Sequence, residues 1–409
     1  MMPMDKILTL MAEKRASDLF ISVGSPIQFK LHGITVPVNQ NRLDQAQVES
    51  LLREVLSERQ WASFQDEQEL NLGYGIKDVG SFRFSIFRQR GSTAAVIRYI
   101  PGNIPAFASL GLPNVLTELI LQKRGLILTV GATGSGKTTT LASLIDYRNE
   151  QRTGHILTLE DPIEFVFRNK RSIVNQRQIG TDTASLKTAL KNALRQAPDC
   201  ILIGEIRDVE TMGAAIAYAQ SGHLVLATMH ANSSAHALNR IVSFYSPENR
   251  RVLLADLATT LRAVVSQRLL KSLSGGRVAA VEVLLNNNHM AELIEQGRIS
   301  EIKEAMTTSM SAGSLTFEQA LIELILSGKV SRDEALANSD SPSNLLWLLE
   351  NRAPTEAEKS APPAVGIALP KDLQKQFADA RQAPTAETVA EKVPAKTEGA
   401  SFSEFLLNI

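Results

Sequence analysis

The chain has one cysteine, Cys200, no net charge and no long uncharged apolar run, and each shortage removes a class of protein. A single thiol cannot build a disulfide framework or a zinc site resting on several thiolates, and it suits a reducing compartment. Lys and Arg together number 43, as do Asp and Glu. That balance gives no standing attraction to nucleic acid or to an anionic membrane, although a local basic patch remains compatible with it. Nowhere do the ~18 uncharged apolar residues of a spanning helix follow one another. Residues 1–15 mix Asp5, Lys6, Glu13, Lys14 and Arg15 with apolar residues, the pattern of a short amphipathic helix and not of a signal peptide. A cytoplasmic protein, free or peripheral to a membrane, is expected.

What is present falls into blocks. A chain of 409 residues exceeds one ordinary core, and roughly 100–200 residues per domain allows two or three. Residues 1–100 read as a small α+β domain. Ile7, Leu10 and Met11 stand at helical spacing, Leu19–Val23 is strand-like, and Val48, Leu51, Leu52, Val55 and Leu56 form a second helical stripe. That stripe opens with Asp44 and Gln47 in the manner of a capping box. Strands are expected at Ser81–Phe87 and Ala94–Ile100. Residues 101–113 hold three prolines and two glycines, which mark a linker.

Residues 114–285 read as an α/β core. Leu126–Val130, His155–Leu159, Cys200–Ile203 and Leu224–Met229 are short apolar runs separated by helical segments such as Leu186–Arg195 and Thr211–Gln220. A mostly parallel sheet covered on both faces gives this pattern. After Pro247 the chain reads as mainly helical, with Leu253, Leu254, Leu257, Leu261, Val264 and Val265 on one face and a last strand at Val278–Leu285. Residues 286–352 form a C-terminal helical region, with a helix at Thr316–Ser327 opened by a Thr-x-x-Gln box and ended by Gly328. Residues 353–400 carry six of the 16 prolines, and 353–409 is expected to be a disordered tail. Its last nine residues regain apolar character at Phe402, Phe405, Leu406 and Leu407, as a frayed end or a docking peptide.

Gly131-Ala-Thr-Gly-Ser-Gly-Lys137-Thr138 fits the phosphate-loop pattern G-x-x-x-x-G-K-[ST] and lies between an expected strand and an expected helix. In such a loop glycines let backbone N–H groups face a phosphate, and the helix N-terminus adds positive potential. The nucleotide-binding set is Gly131, Thr133, Gly134, Ser135, Gly136, Lys137, Thr138 and Thr139. Lys137 is assigned to the β- and γ-phosphates and the Thr138 hydroxyl to Mg²⁺, so the expected ligands are ATP and Mg²⁺.

Hydrolysis also needs groups that hold metal and orient water. Cys200–Ile203 leads into Gly204 and Glu205, with glycine where many such enzymes place a metal-binding Asp, and Glu205 is the candidate base. Thr158–Phe165 contains Glu160, Asp161 and Glu164 at the end of a sheet strand, where ligands of doubly wound sheets bind. Glu160 and Glu164 are catalytic candidates, with Glu160 also proposed to the metal; a solvated turn is the plain alternative. His223 and His230 bracket the fourth apolar run and suit a nucleotide-dependent hydrogen bond near neutral pH, although the residues alone favour a satisfied structural role for either. Zinc lacks companion ligands here. Arg83, Arg88 and Arg98 lie on the two strands before the linker and match phosphate geometry, so a neighbouring subunit could offer them as fingers. An arginine-rich solvent face is the plain alternative, and the residue pattern alone favours it.

Taken together, these segments resemble the secretion ATPase superfamily of type II secretion and type IV pili, and within it the PilT/PilU retraction motors, on the PilU side. The carriers are Gly131–Thr138, Thr158–Phe165, Leu194–Asp208 and Gly222–His230, with Ala16–Pro26 and Leu315–Leu321 outside the core, spanning residues 4–350. The resemblance implies a PAS-like N-terminal domain, a RecA-like P-loop domain, a homohexameric ring and ATP-driven pilus retraction. It also implies an inner-membrane platform protein and a companion PilT-like ATPase as partners, peripheral placement at the inner membrane, and no nucleic acid. Arg83 and Arg98 sit at the family's finger positions and Arg88 at a third position found in part of it. Two departures stand out. Met290–Gly297 keeps only the apolar spacing of the run Ala-Ile-Arg-Asn-Leu-Ile-Arg-Glu of PilT-type motors, and Gln220 replaces the usual Glu before the histidine segment. A nucleotide-binding adaptor of a companion motor is therefore the competing expectation. An assembly or secretion motor fits less well, because its four-cysteine zinc module cannot be built with one cysteine, and a nucleic-acid translocase fits least.

Overall fold

The computed structural model describes residues 3–351, apart from 32, 78 and 309–312. The expected tail, with its apolar end, lies outside the described residues. Residues up to Leu346 form one compact unit, and the chain beyond it is described only as the end of a helix.

The N-terminal part runs α1 (Pro3–Glu13), β1 (Asp18–Ser22), β2 (Gln28–Leu31), β3 (Ile34–Pro37), α2 (Gln45–Arg53), α3 (Glu58–Glu67), β4 (Glu69–Ile76), β5 (Gly80–Gln89) and β6 (Ser92–Pro101). Its sheet is antiparallel throughout, in the order β3-β2-β1-β6-β5-β4. Asp44 caps α2 as the sequence implies: Gln47 N donates to its Oδ1 at 2.8 Å, and its own N donates to Gln47 Oε1 at 2.9 Å. On β5 the even residues Phe82, Phe84 and Ile86 are buried against Met4, Leu8, Leu52 and Phe64, so the odd residues face away from this core. α3 and β2 to β4 were not legible as elements in the sequence.

The second part continues α4 (Val115–Ile120), β7 (Gly125–Val130), α5 (Lys137–Gln151), β8 (Gly154–Glu160), β9 (Ser172–Gln178), α6 (Leu186–Ala193), β10 (Cys200–Ile203), α7 (Val209–Gln220), β11 (Leu224–Met229), α8 (Ser234–Phe244), α9 (Pro247–Thr260), β12 (Leu261–Lys271) and β13 (Arg277–Leu285). Then follow α10 (Asn288–Glu295), α11 (Ile302–Thr308), α12 (Phe317–Leu326), α13 (Arg332–Asn338) and α14 (Pro342–Asn351). The sheet order is β13-β12-β7-β11-β10-β8-β9, parallel except for the β12–β13 pair. Every residue of β7 and β10 is buried, because alternate side chains enter cores on opposite faces: Leu126, Leu128 and Val130 on one, Ile127 on the other. Thr316 and Gln319 form the expected capping box of α12, and Gly328 ends that helix with φ +64°.

One expectation is corrected. The apolar face from Leu253 to Val265 was read as one helix, but α9 stops at Thr260 and Leu261 begins β12. Leu261 and Val264 join one core while Ala263 and Val265 join the other, which only a strand between two covered faces allows. A register shift between Leu261 and Ala263 marks the change of period. The strand β9 was also unforeseen.

Candidate functional site

The loop from Gly131 to Gly136 leaves β7 and enters α5, and its glycines are required by space as well as by φ. A Cβ on Gly131 (φ +156°) would lie 2.6 Å from Gln267 O, and one on Gly136 (φ +91°) would lie 2.6 Å from Gln267 Nε2. Gln267 is buried on β12 and accepts from Thr140 Oγ1 at 2.7 Å, so the loop rests on a fixed amide. Lys137 Nζ donates to Gly131 O at 2.8 Å and Ala132 O at 2.9 Å. Burial lowers its pKa from the ordinary lysine value, opposed by the nearby charges of Glu205 and Glu164.

Around this loop lies a cavity of about 520 Å³ lined by Arg83, Thr133, Gly134, Lys137, Thr138, Glu160, Glu164, Glu205, Arg207 and His230 among others. The carboxyl-terminal ends of β7, β8, β10 and β11 meet there, as the topology of a doubly wound sheet requires. Glu205 follows β10, and its Oε1 lies 3.4 Å from His230 Nε2 while Oε2 accepts from Arg207 Nη2 at 2.6 Å. Ile206 N donates to Thr228 O at 2.9 Å and Thr228 Oγ1 donates to Gly204 O, so β11 holds both neighbours of Glu205. Gly204 itself leaves little room for a side chain. Its N–H donates to Leu159 O at 2.8 Å, and a Cβ there would meet that oxygen at 3.0 Å.

Glu160, at the end of β8, is only 7% exposed. Its Oε1 accepts from Thr158 Oγ1 at 2.7 Å and Gln176 Nε2 at 3.1 Å, yet burial outweighs these bonds and raises the carboxyl's pKa from the ordinary value. A cation at the cavity would favour its anionic form. The donor set fits a triphosphate with Mg²⁺. It offers a glycine cradle, an ammonium group, the Thr138 hydroxyl and one buried carboxyl, and among the described residues no cluster of three or more His, Cys, Asp or Glu competes as an all-protein metal cage.

Three candidates stand elsewhere. His223 precedes β11 at the opposite sheet edge, roughly 20 Å along the strand from His230 at ~3.3 Å per residue, and its Nδ1 lies 3.0 Å from Ser221 Oγ. Arg88 shares the parity of Phe82 and Phe84. Its guanidinium lies 5.1 Å over the Phe64 ring, bonded to Thr93 Oγ1 at 2.7 Å and Gln65 Oε1 at 3.1 Å. Arg98 is the cross-strand partner of Arg83 on the same sheet face, but it is bonded to Asp18 at 3.0 Å. Arg83 of the same chain lines the cavity. The first sheet seats closely on the core there: Gly73, paired with Arg83 across β4 and β5, leaves space for Gln178, whose Oε1 would lie 2.9 Å from a Cβ at that position. Gln267 and Arg207 were missed. A lone amide in the apolar run around Val264 and Val265 was the available signal for Gln267.

The model of the family described as "Type II/IV secretion system protein" matches residues 2–277. The chain belongs to that family. Within it, the chain is 42% identical over 369 residues to the type IV pilus ATPase PilU of Pseudomonas aeruginosa, covering 90% of this chain and 97% of that protein. It is 36% identical to the type IV pilus retraction ATPase PilT of the same organism, covering 84% of this chain and 100% of that one. A crystal structure of the pilus retraction motor PilT with bound ADP superposes with a TM-score of 0.79 at 37% identity, covering 85% of this chain and 99% of that chain. This family member is therefore of the PilT/PilU kind and an ATPase, and the expected two-part α/β architecture holds.

Proposed function

We propose that the chain is a motor subunit that hydrolyses ATP to drive or support retraction of type IV pili. The observation that carries the reading is the convergence of Lys137, Glu205 and Arg83 on one cavity built at a phosphate loop. Lys137 exchanges its two carbonyl partners for phosphate oxygens, and the N-terminus of α5 adds positive potential beside the same charge. Glu205 aligns a water and takes its proton, while His230 and Arg207 hold the carboxylate in position. Arg83 offsets the charge that develops on the transferred phosphoryl group. The Thr138 hydroxyl, with Glu160 nearby, would hold Mg²⁺, which would supply charge neutralisation. Closure of the Arg83 sheet on the core around nucleotide then provides a stroke.

In this reading six subunits form a ring at the cytoplasmic face of the inner membrane and act on a platform protein there, beside a companion PilT-like ATPase. No described helix is long and apolar enough to cross a membrane. A deletion strain scored for pili and twitching tests the reading. Excess pili support retraction, piliated cells that do not twitch support service to another motor, and bald cells contradict it. The altered run Met290–Gly297, which includes most of α10, favours keeping an adaptor as the second reading. ATPase rates of the protein alone and mixed with a companion motor separate the two, because an adaptor adds nothing through its own Glu205.

A further inference from the structure

The segment joining β11 to α8 carries His230 at its start and is gripped by three side chains from three elements. Arg240 Nη1 donates to His230 O at 2.9 Å, Arg268 Nη2 donates to Asn232 O at 3.0 Å, and Ser234 N donates to Glu282 Oε1 at 2.7 Å. Arg268 does more than hold this loop. Its Nη1 donates to Asn338 O at 2.6 Å, its Nη2 reaches Asp340 Oδ1 at 2.5 Å, and its guanidinium lies 4.0 Å over the Phe317 ring. Asp340 is also 3.7 Å from Lys303 Nζ, which binds Glu318 at 2.8 Å. One planar cation on β12 therefore touches the His230 loop on one side and α12, the end of α13 and the following Asp340 on the other. A guanidinium with five donors can bridge such a set; an ammonium cannot.

We propose that Arg268 is a positioning residue that couples the pose of the C-terminal helices to the placement of His230 against Glu205. It rests on the roles given above to those two residues. The grip on Asn232 is rigid because Glu282, 3% exposed and bonded also to Ser266 Oγ at 3.1 Å, fixes the loop's far end. Movement of Asp340 and Asn338 then redirects the guanidinium, and with it the Asn232 carbonyl that it holds. Whatever binds the C-terminal helices thus gains a route to the hydrolysis rate without touching nucleotide.

Asp340 lies outside the cavity, so Asp340→Ala is the informative variant, with Arg268→Lys beside it. Each should lower kcat about 3- to 30-fold, the span that coupling through a packed network gives, while KM for ATP stays near the parent value. In a His230→Gln background the Asp340→Ala effect on kcat should vanish, because the coupling has lost its target. Equal fold-losses in both backgrounds, or a loss seen in KM and thermal stability alone, would show Arg268 to be a structural tie and overturn the proposal. A His230→Gln enzyme with the parent kcat would instead remove the role of His230, and this inference with it.

Discussion

Gly204→Ala is the sharpest test of how the site is built. The residue ends the β10 pairing with β8, with its N–H 2.8 Å from Leu159 O. An added Cβ would stand 3.0 Å from that oxygen and 3.5 Å from Glu160 Cα, both backbone atoms of β8, which is paired on both sides. Neither can rotate away, so β10 must shift by a few tenths of an ångström or the ladder must open. Overpacking of this kind costs about 1–3 kcal/mol. The same shift moves Glu205, the next residue. A 1 Å misplacement of a reacting group costs on the order of 100-fold, so a shift of a few tenths should cost on the order of 3- to 10-fold in kcat. KM for ATP should hold, because the loop at Gly131–Thr138 rests on Gln267 and not on Gly204. Urea denaturation and steady-state ATPase assays read the two effects separately. Parent stability together with parent kcat would refute the claim that space, and not metal chemistry, dictates glycine at this position.

Two further outcomes follow from burial. Because Glu160 has its pKa raised in the folded state, folding takes up a proton above pH 4.5, and stability falls as pH rises through the window between the unfolded and folded values. Glu160→Gln should therefore gain thermal stability over the parent as pH rises through that window and keep the gain above it. It should also show a smaller stabilisation by ATP with Mg²⁺; stability curves parallel across pH would contradict this. Cys200 is fully buried on β10 with its thiol pushed up to about 11. A thiol reagent at pH 8 should label it only in denaturant, and rapid labelling of the folded protein would show that β10 is open to solvent.

The local part of the site could be read in the sequence because a phosphate loop is a contiguous run whose flanking strand and helix sit beside it. Side-chain parity was equally available: Arg88 differs from Phe82, Phe84 and Ile86 by even steps, which places it with their core, whereas Arg83 and Arg98 face the other way. Strand direction likewise put His223 and His230 at opposite edges of the sheet. Other features were hidden for stated reasons. The apolar spacing from Leu253 to Val265 satisfies a helix and a two-faced strand alike, so the start of β12, and with it Gln267 and Arg268, could not be separated from α9. The seating of Gly73 against Gln178 joins residues about a hundred positions apart, so no local pattern reports it.

The central claim is that one cavity grips ATP through Lys137 and hydrolyses it through Glu205. Nucleotide binding by calorimetry and phosphate release, measured side by side on the parent, Lys137→Ala and Glu205→Gln, test it most directly. The account expects binding with turnover, neither, and binding without turnover, respectively. Turnover by Glu205→Gln at the parent rate, or nucleotide binding by Lys137→Ala at the parent affinity, would contradict it.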